Sequence, residues 1–242
     1  MRLSDFRVLT FDCYGTLIDW ETGILDALRP LVARLRQPLN SDQILAAHAR
    51  HEAAQQAFTP TRLYRDILAI VYKRLAEEWG IPAAWEECLA YGNSIGDWPA
   101  FPDSAEALAY LKRFYKLAIL SNVDNASFAL SNRRLGVVFD AIYSAEDIGS
   151  YKPSQRNFDY MLDKVEARGV ARTEILHTAE SLFHDHATAN ALGLASCWIH
   201  RRHGRDGFGA TMDPGAVPHV DFRFTGMAEF ARAHAAEAGS SG

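Results

Sequence analysis

The sequence predicts an α/β protein: a mostly parallel sheet whose first strand is separated from the others by an inserted block of helices. Three observations carry this prediction. Residues 8–19, VLTFDCYGTLID, read as a short buried strand that runs into a carboxylate and then a glycine turn. Residues 20–98 show helical spacing of apolar residues and no strand pattern. From residue 102 to about residue 224, short apolar strands alternate with helices, the pattern of a parallel sheet joined by right-handed crossovers.

Taken in order, Val8 to Phe11 is a β-branched, apolar run suited to a strand buried on both faces. Asp12 follows where the strand leaves the core, the end at which open α/β sheets place their ligands. Gly15 permits a tight turn, and Thr16 can offer a hydroxyl and an N–H to an anion. The helical block begins with Thr22 to Leu35, apolar at Ile24, Leu25, Leu28, Leu31, Val32 and Leu35. Ser41 is the expected N-cap of a helix to Phe58. Thr61 to Trp79 forms a third helix, stopped by Gly80-Ile81-Pro82, and Ala84 to Tyr91 a fourth. The later strands are expected at Lys116 to Leu120, Ala141 to Tyr143, Ile175 to Thr178, Ala195 to Ile199 and Val220 to Phe224. Helices are expected from Ser104 to Arg113, up to Arg134, from Gln155 to Glu166 and from Ala187 to Leu192. Gly204 to Pro218 reads as a loop, and the tail after Ala233, ending Gly-Ser-Ser-Gly, as disordered. The domain division is therefore 1–19 and 99–242 for a Rossmann-like core, and 20–98 for a helical cap over the strand ends.

Composition narrows the function. A chain of 242 residues with 48% hydrophobic and 23% charged residues is ordinary for a globular protein. A net charge of −5 argues against nucleic acid as a partner, and no apolar run approaches membrane-spanning length. No leader pattern precedes the first strand, so a cytoplasmic location is expected. The three cysteines, Cys13, Cys88 and Cys197, are widely spaced and read as buried free thiols. Strand alternation turns Cys13 away from the Asp12 face.

Four strand ends offer polar groups to one crevice: Asp12; Ser121-Asn122; Lys152 before Pro153; and Ala179-Glu180-Ser181-Leu182-Phe183-His184-Asp185. In order and spacing these motifs resemble those of the haloacid dehalogenase superfamily of hydrolases. The resemblance implies that Asp12 is a covalent nucleophile, that Ser121 binds an oxyanion and that Lys152 orients Asp12. Phosphatases of that superfamily carry a second Asp two positions after the first. Here that position is Tyr14, and the D-x-Y-G-T form resembles the type II 2-haloacid dehalogenase branch. The fourth motif departs from that branch: Glu180 stands where it has Ser and Leu182 where it has Asn, while Asp185 matches.

The chemistry discriminates between two enzymatic readings. An alkoxide leaving a phosphate ester profits from an acid, and a tyrosine with a pKa near ~10 is a poor one. A halide leaves without a proton, so Tyr14 favours carbon–halogen cleavage with no cofactor. The acids of the fourth motif favour the other reading, a phosphatase in which Asp12, Glu180 and Asp185 share Mg²⁺. The tyrosine carries more weight because it adjoins the nucleophile. A non-catalytic binding protein is the third reading, opposed by the joint presence of Asp12 and Lys152. The expected partner is a small anionic substrate, its carboxylate held by Thr16, Ser121, Asn122 and N–H groups near Tyr14, with a homodimer left open. Trp20 and Trp98 flank the crossings between cap and core, and Trp98 is a candidate substrate wall. The resemblance implies a cap arginine for the halide; Arg34, Arg36, Arg50, Arg62 and Arg65 are available, Arg50 and Arg65 on the helices expected to face the crevice. His184 and His186 flank Asp185, and Arg201-Arg202-His203 follows a strand; surface or supporting roles are the expectation for both groups.

Overall fold

The computed structural model describes residues 1–239. Six parallel strands form one sheet in the order β3-β2-β1-β4-β5-β6. They are β1 (Val8–Phe11), β2 (Lys116–Ser121), β3 (Ala141–Ser144), β4 (Ile175–Ala179), β5 (Ala195–Ile199) and β6 (Phe222–Phe224). Chain order reverses between β1 and β4, so the carboxyl ends of these two strands flank the crevice where such sheets bind ligands. Side-chain alternation divides the core in two. Leu9, Phe11, Leu117 and Ile119 join the larger apolar cluster, which continues into the helical block. Val8, Ala118, Leu120 and Ile175 join the cluster on the other face, beneath α8 (Gln155–Glu166).

Four helices form the inserted block after β1: α1 (Trp20–Val32), α2 (Ser41–Phe58), α3 (Tyr64–Glu78) and α4 (Trp85–Gly92). A short 3₁₀ turn, Asn93–Asp97, leads the chain back to α5 (Ser104–Leu111). The inserted helical cap is therefore present, joined to the core at residues around Asp19 and Pro99, whose N–H and C=O pair at 2.8 Å. Gly23 of α1 lies against Trp98, with no room for a side chain: a Cβ there would stand 2.3 Å from Trp98 Cγ. The remaining helices are α6 (Asn125–Leu135), α7 (Ala145–Ile148), α9 (Ala187–Ala191) and α10 (Met227–Gly239). No helix among the described residues is long and apolar enough to cross a membrane.

Three local expectations are corrected. Asn40, not Ser41, caps α2: its side chain accepts from Gln43 N–H, and Gln43 accepts in return from Asn40 N–H, both at 2.9 Å. The tail expected to be disordered after Ala233 is helical to Gly239, because Met227, Phe230 and His234 are buried beside α5, where His234 Nδ1 meets the Tyr110 hydroxyl at 3.0 Å. Residues 240–242 of that tail lie outside the described residues. The third helix begins at Tyr64, not Thr61, with Leu63 as its extended N-cap; in the fourth motif, Leu182–His186 form a single π-helical turn before α9.

Candidate active site

Asp12 leaves β1 with its N–H still paired to Thr178 of β4 at 3.0 Å, which fixes the carboxylate at the mouth of the crevice. Gly15 then turns the chain at φ +92°, beneath Trp20, where a Cβ would stand 2.9 Å from the indole nitrogen. Lys152 is buried, and its ammonium bridges two carboxylates: Asp12 Oδ1 at 2.9 Å and Asp185 Oδ1 at 2.7 Å. The third ammonium hydrogen goes to Leu120 C=O at 3.0 Å. Burial works against the Lys152 ammonium, but the two carboxylates outweigh it and hold its pKa above the ordinary value. Asp185 is likewise buried, yet Lys152 and His177 hold it well below the usual carboxylate range. Burial pushes Asp12 upward, Lys152 opposes this, and the neighbouring Asp185 adds to the rise. Of the two acids, Asp12 is thus the later to ionise.

Buried bonds hold this triad in place. Thr16 donates its hydroxyl to Asp12 Oδ2 at 2.8 Å and accepts the N–H of Glu180 at 2.9 Å. Thr16 therefore supports the Asp12 carboxylate from behind instead of facing the crevice. Asn122 clamps the Lys152 backbone twice, accepting its N–H at 2.7 Å and donating to its C=O at 3.0 Å, so its carboxamide serves the lysine. His177, inside β4, meets Asp185 Oδ1 at 2.9 Å through Nε2 and Thr10 Oγ1 at 2.9 Å through Nδ1. Tyr14 points its hydroxyl at Ser131 Oγ of α6, 2.9 Å away, and its ring edge at Trp98. Burial keeps it a neutral phenol.

A narrow cavity of about 20 Å³ lies over Asp12. Its core wall is Asp12, Tyr14, Ser121, Asn122, Lys152, Ser181, His184 and Asp185; its cap wall is Trp20, Glu52, Gln56 and Tyr64. The Ser121 hydroxyl is buried with no protein partner, a donor free to meet a guest. His184 leans on Ser181 Oγ at 3.1 Å, and burial lowers its pKa to about 4, so the ring is neutral. Trp98 does not reach this cavity; it backs Tyr14 and fills the seam, with Trp20 lining the site instead. No arginine lines it either. Arg34 pairs with Glu87, Arg50 with Glu78, and Arg65 contributes its backbone N–H to Asp124. Arg201 holds Thr16 C=O and Asp103, and Arg202 holds Glu21 and Asp42 across the seam. The Arg202 pairs border a larger cavity of about 630 Å³, which shares Trp20 as a wall with the one over Asp12.

Asp12, Glu180 and Asp185 do not converge as a metal site. No group of three His, Cys, Asp or Glu side chains among the described residues stands where it could hold an ion, and Lys152 occupies the space between Asp12 and Asp185. In this arrangement the Lys152 ammonium, placed between them, is the cation that balances Asp12 and Asp185. Glu180 lies toward the larger cavity, its carboxyl raised to about 8 by burial and by Glu21 and Asp12. The residues that the motifs do not point to are Thr10, His177, Glu52, Gln56 and Tyr64. Their one sequence signal is the spacing of His48, Glu52 and Gln56, a polar stripe at every fourth residue of α2.

Comparison with known proteins agrees with this fold. Residues 6–182 match the family model described as haloacid dehalogenase-like hydrolase. (S)-2-haloacid dehalogenase 4A of Burkholderia cepacia is 24% identical over 220 residues, 83% of this chain and 85% of that protein. The putative HAD-hydrolase YfnB of Bacillus subtilis is 24% identical over 207 residues, 81% of this chain and 85% of that one. The YfnB crystal structure bound to magnesium superposes with a TM-score of 0.74 at 20% identity, covering 97% of this chain and 100% of that one. The L-2-haloacid dehalogenase from Xanthobacter autotrophicus superposes with a TM-score of 0.75 at 19% identity, covering 94% of this chain and 97% of that one.

Proposed function

Because this chain belongs to the haloacid dehalogenase-like hydrolases, we propose that Asp12 is its nucleophile and that it cleaves the carbon–halogen bond of a small 2-haloacid. The observation that carries the reading is the neighbourhood of Asp12. One oxygen is held by an ammonium and the other by a hydroxyl, while the residue two positions on turns its phenol away to Ser131. A carboxylate so held can displace a group that leaves unaided, while the residue two positions on, where a proton donor to an alkoxide would stand, is a neutral phenol turned away.

In the first step an Asp12 oxygen forms a bond to the halogen-bearing carbon, and the halide departs with the bonding electron pair. The substrate carboxylate rests on the unpartnered Ser121 hydroxyl and the Lys152 side of the cavity. In the second step water attacks Asp12 Cγ, the ester C–O bond opens, and the 2-hydroxyacid leaves with an oxygen that came from Asp12. The water's oxygen stays in the carboxylate, one of its protons goes to the departing alkoxide and the other to solvent. His184 and Asp185 border the space from which that water comes.

The test is halide release from 2-chloropropionate and phosphate release from small phosphate esters, each with and without chelator, on one preparation. The expected result is halide release that ignores chelator. The magnesium bound by YfnB favours the phosphatase reading; chelator-sensitive phosphate release without halide release would establish it and end the dehalogenase reading.

A further inference from the structure

In a displacement at carbon the leaving group departs on the side away from the nucleophile. With Asp12 at the strand ends, that side is the cap wall: Glu52, Gln56 and Tyr64. Glu52 is 3% exposed. It accepts Gln56 Nε2 at 3.2 Å, and the neighbouring Tyr64 favours its ionised form against burial. No lysine or arginine pairs with it among the described residues; its nearest basic group is His48 Nδ1 at 3.8 Å. A carboxylate in this position would face Asp12 and Asp185 across the cavity and would repel a departing anion. A protonated carboxyl would instead point an O–H at it.

We propose that protonated Glu52, supported by Gln56 and Tyr64, receives the departing halide by hydrogen bonding, so that this enzyme cradles its leaving group with neutral donors instead of a cation. The proposal rests on the reading of the chain as a carbon–halogen hydrolase. The proton stays on Glu52 throughout, and the halide leaves as the free anion once the cap admits water.

The groups facing Glu52 leave it alone to titrate near neutrality on this wall. Burial raises Glu52 to about 7. On its own helix, His48 is lowered to about 3 and is neutral. Tyr64 of α3, Tyr91 of α4, Tyr14 after β1 and Tyr151 before α8 are all raised and stay neutral. Across the cavity, the charges of Asp12, Lys152 and Asp185 are set by one another, and His184 is neutral. Glu180 titrates near 8, but it lines the other cavity.

The test is the pH dependence of halide release and of bromide binding, the latter read from Trp20 fluorescence. In the wild type, kcat/KM for 2-chloropropionate and the bromide affinity should both fall about tenfold per pH unit above pH ~7, as an ionising donor requires. Glu52→Gln should lower halide release several-fold at pH 6 and abolish the fall above pH 7. Tyr64→Phe removes a group that favours the ionised carboxyl, so it should move the fall to higher pH, a shift that titration of Glu180 would not produce. A wild-type alkaline limb retained in Glu52→Gln, or bromide affinity independent of pH, overturns the proposal. Absence of halide release from any 2-haloacid overturns the function instead, and the bromide arm then still decides the role of Glu52.

Discussion

Replacing Lys152 with Met keeps most of its buried volume and removes only the charge and its three hydrogen bonds. The ammonium stands 2.9 Å from Asp12 and 2.7 Å from Asp185, with all three side chains nearly inaccessible to water. At an effective dielectric of ~20, each contact represents ~6 kcal/mol of Coulomb attraction. Desolvation of the ammonium offsets several kcal/mol of that sum, so the net cost of removing it is about 3–5 kcal/mol, the range for breaking a buried pair. Without the cation, Asp12 and Asp185 have folded-state pKa values above their unfolded ones. Their penalty is then full at neutral pH and fades as pH falls toward the unfolded carboxylate value near ~4. Urea denaturation of wild type and Lys152→Met at pH 7.5 and pH 4.5 reads this directly. The difference in unfolding free energy should be about 3–5 kcal/mol at pH 7.5 and less than half that at pH 4.5. Halide release should fall on the order of 10²-fold or more, the loss expected when a preorganised charge is removed from a site. A difference of the same size at both pH values would show that lost packing, not uncompensated carboxylates, is responsible. A variant with wild-type stability and more than a tenth of the activity would refute the reasoning altogether.

Two further outcomes follow from the same geometry. Asp12→Asn should abolish turnover while leaving the circular dichroism spectrum unchanged, and mass spectrometry of acid-quenched reactions should find a covalent adduct on the wild type alone; measurable turnover in the variant would remove Asp12 as nucleophile. Gly23→Ala places a methyl group about 2.3 Å from the buried Trp98 ring, so despite the better helix propensity it should destabilise by about 1–3 kcal/mol and lower Tm; a raised Tm would show that the seam yields easily.

The parts of this site that were legible in the sequence are those whose position is set by backbone. Asp12, Ser121, Lys152 and Asp185 each follow a strand or precede a helix at a place where the strand order fixes the crevice, and the structure gathers all four at one cavity. What was not legible depends on side-chain direction. Thr16, Asn122 and Tyr14 adjoin the crevice in sequence, yet each turns its polar group to another residue of the protein. Trp98 and Trp20 both stand at the crossings, and only the packing against Gly23 decides that Trp98 fills the seam while Trp20 meets the cavity. Polar residues on an alanine-rich helix ordinarily face water, so nothing in the sequence singles out Glu52 and Gln56 from Arg50 on the same helix. The rotation of α2 about its axis turns the first two toward the cavity and Arg50 to Glu78, and an amphipathic pattern this weak does not specify that rotation. His177 sits inside an apolar strand, where a histidine reads as an incidental core residue until its two hydrogen bonds are seen.

The small size of the cavity over Asp12 governs traffic. Room for little more than one water is enough to bring a hydrolytic water to the proposed ester but not to admit the proposed haloacid, so on that reading every turnover separates and rejoins the two walls. The fastenings across that seam include polar ones beside its apolar packing: the Tyr151 hydroxyl on Arg62 C=O, the Arg65 N–H on Asp124, and Arg202 on Glu21 and Asp42. Such contacts exchange readily with water, unlike an apolar interface that must be wetted before it parts. Ionic strength weakens the Arg202 pairs most, since Asp42 is largely exposed. Salt should thus hasten substrate entry while shortening the time for which an intermediate is shielded, and the composition of the medium sets a compromise between admission and protection.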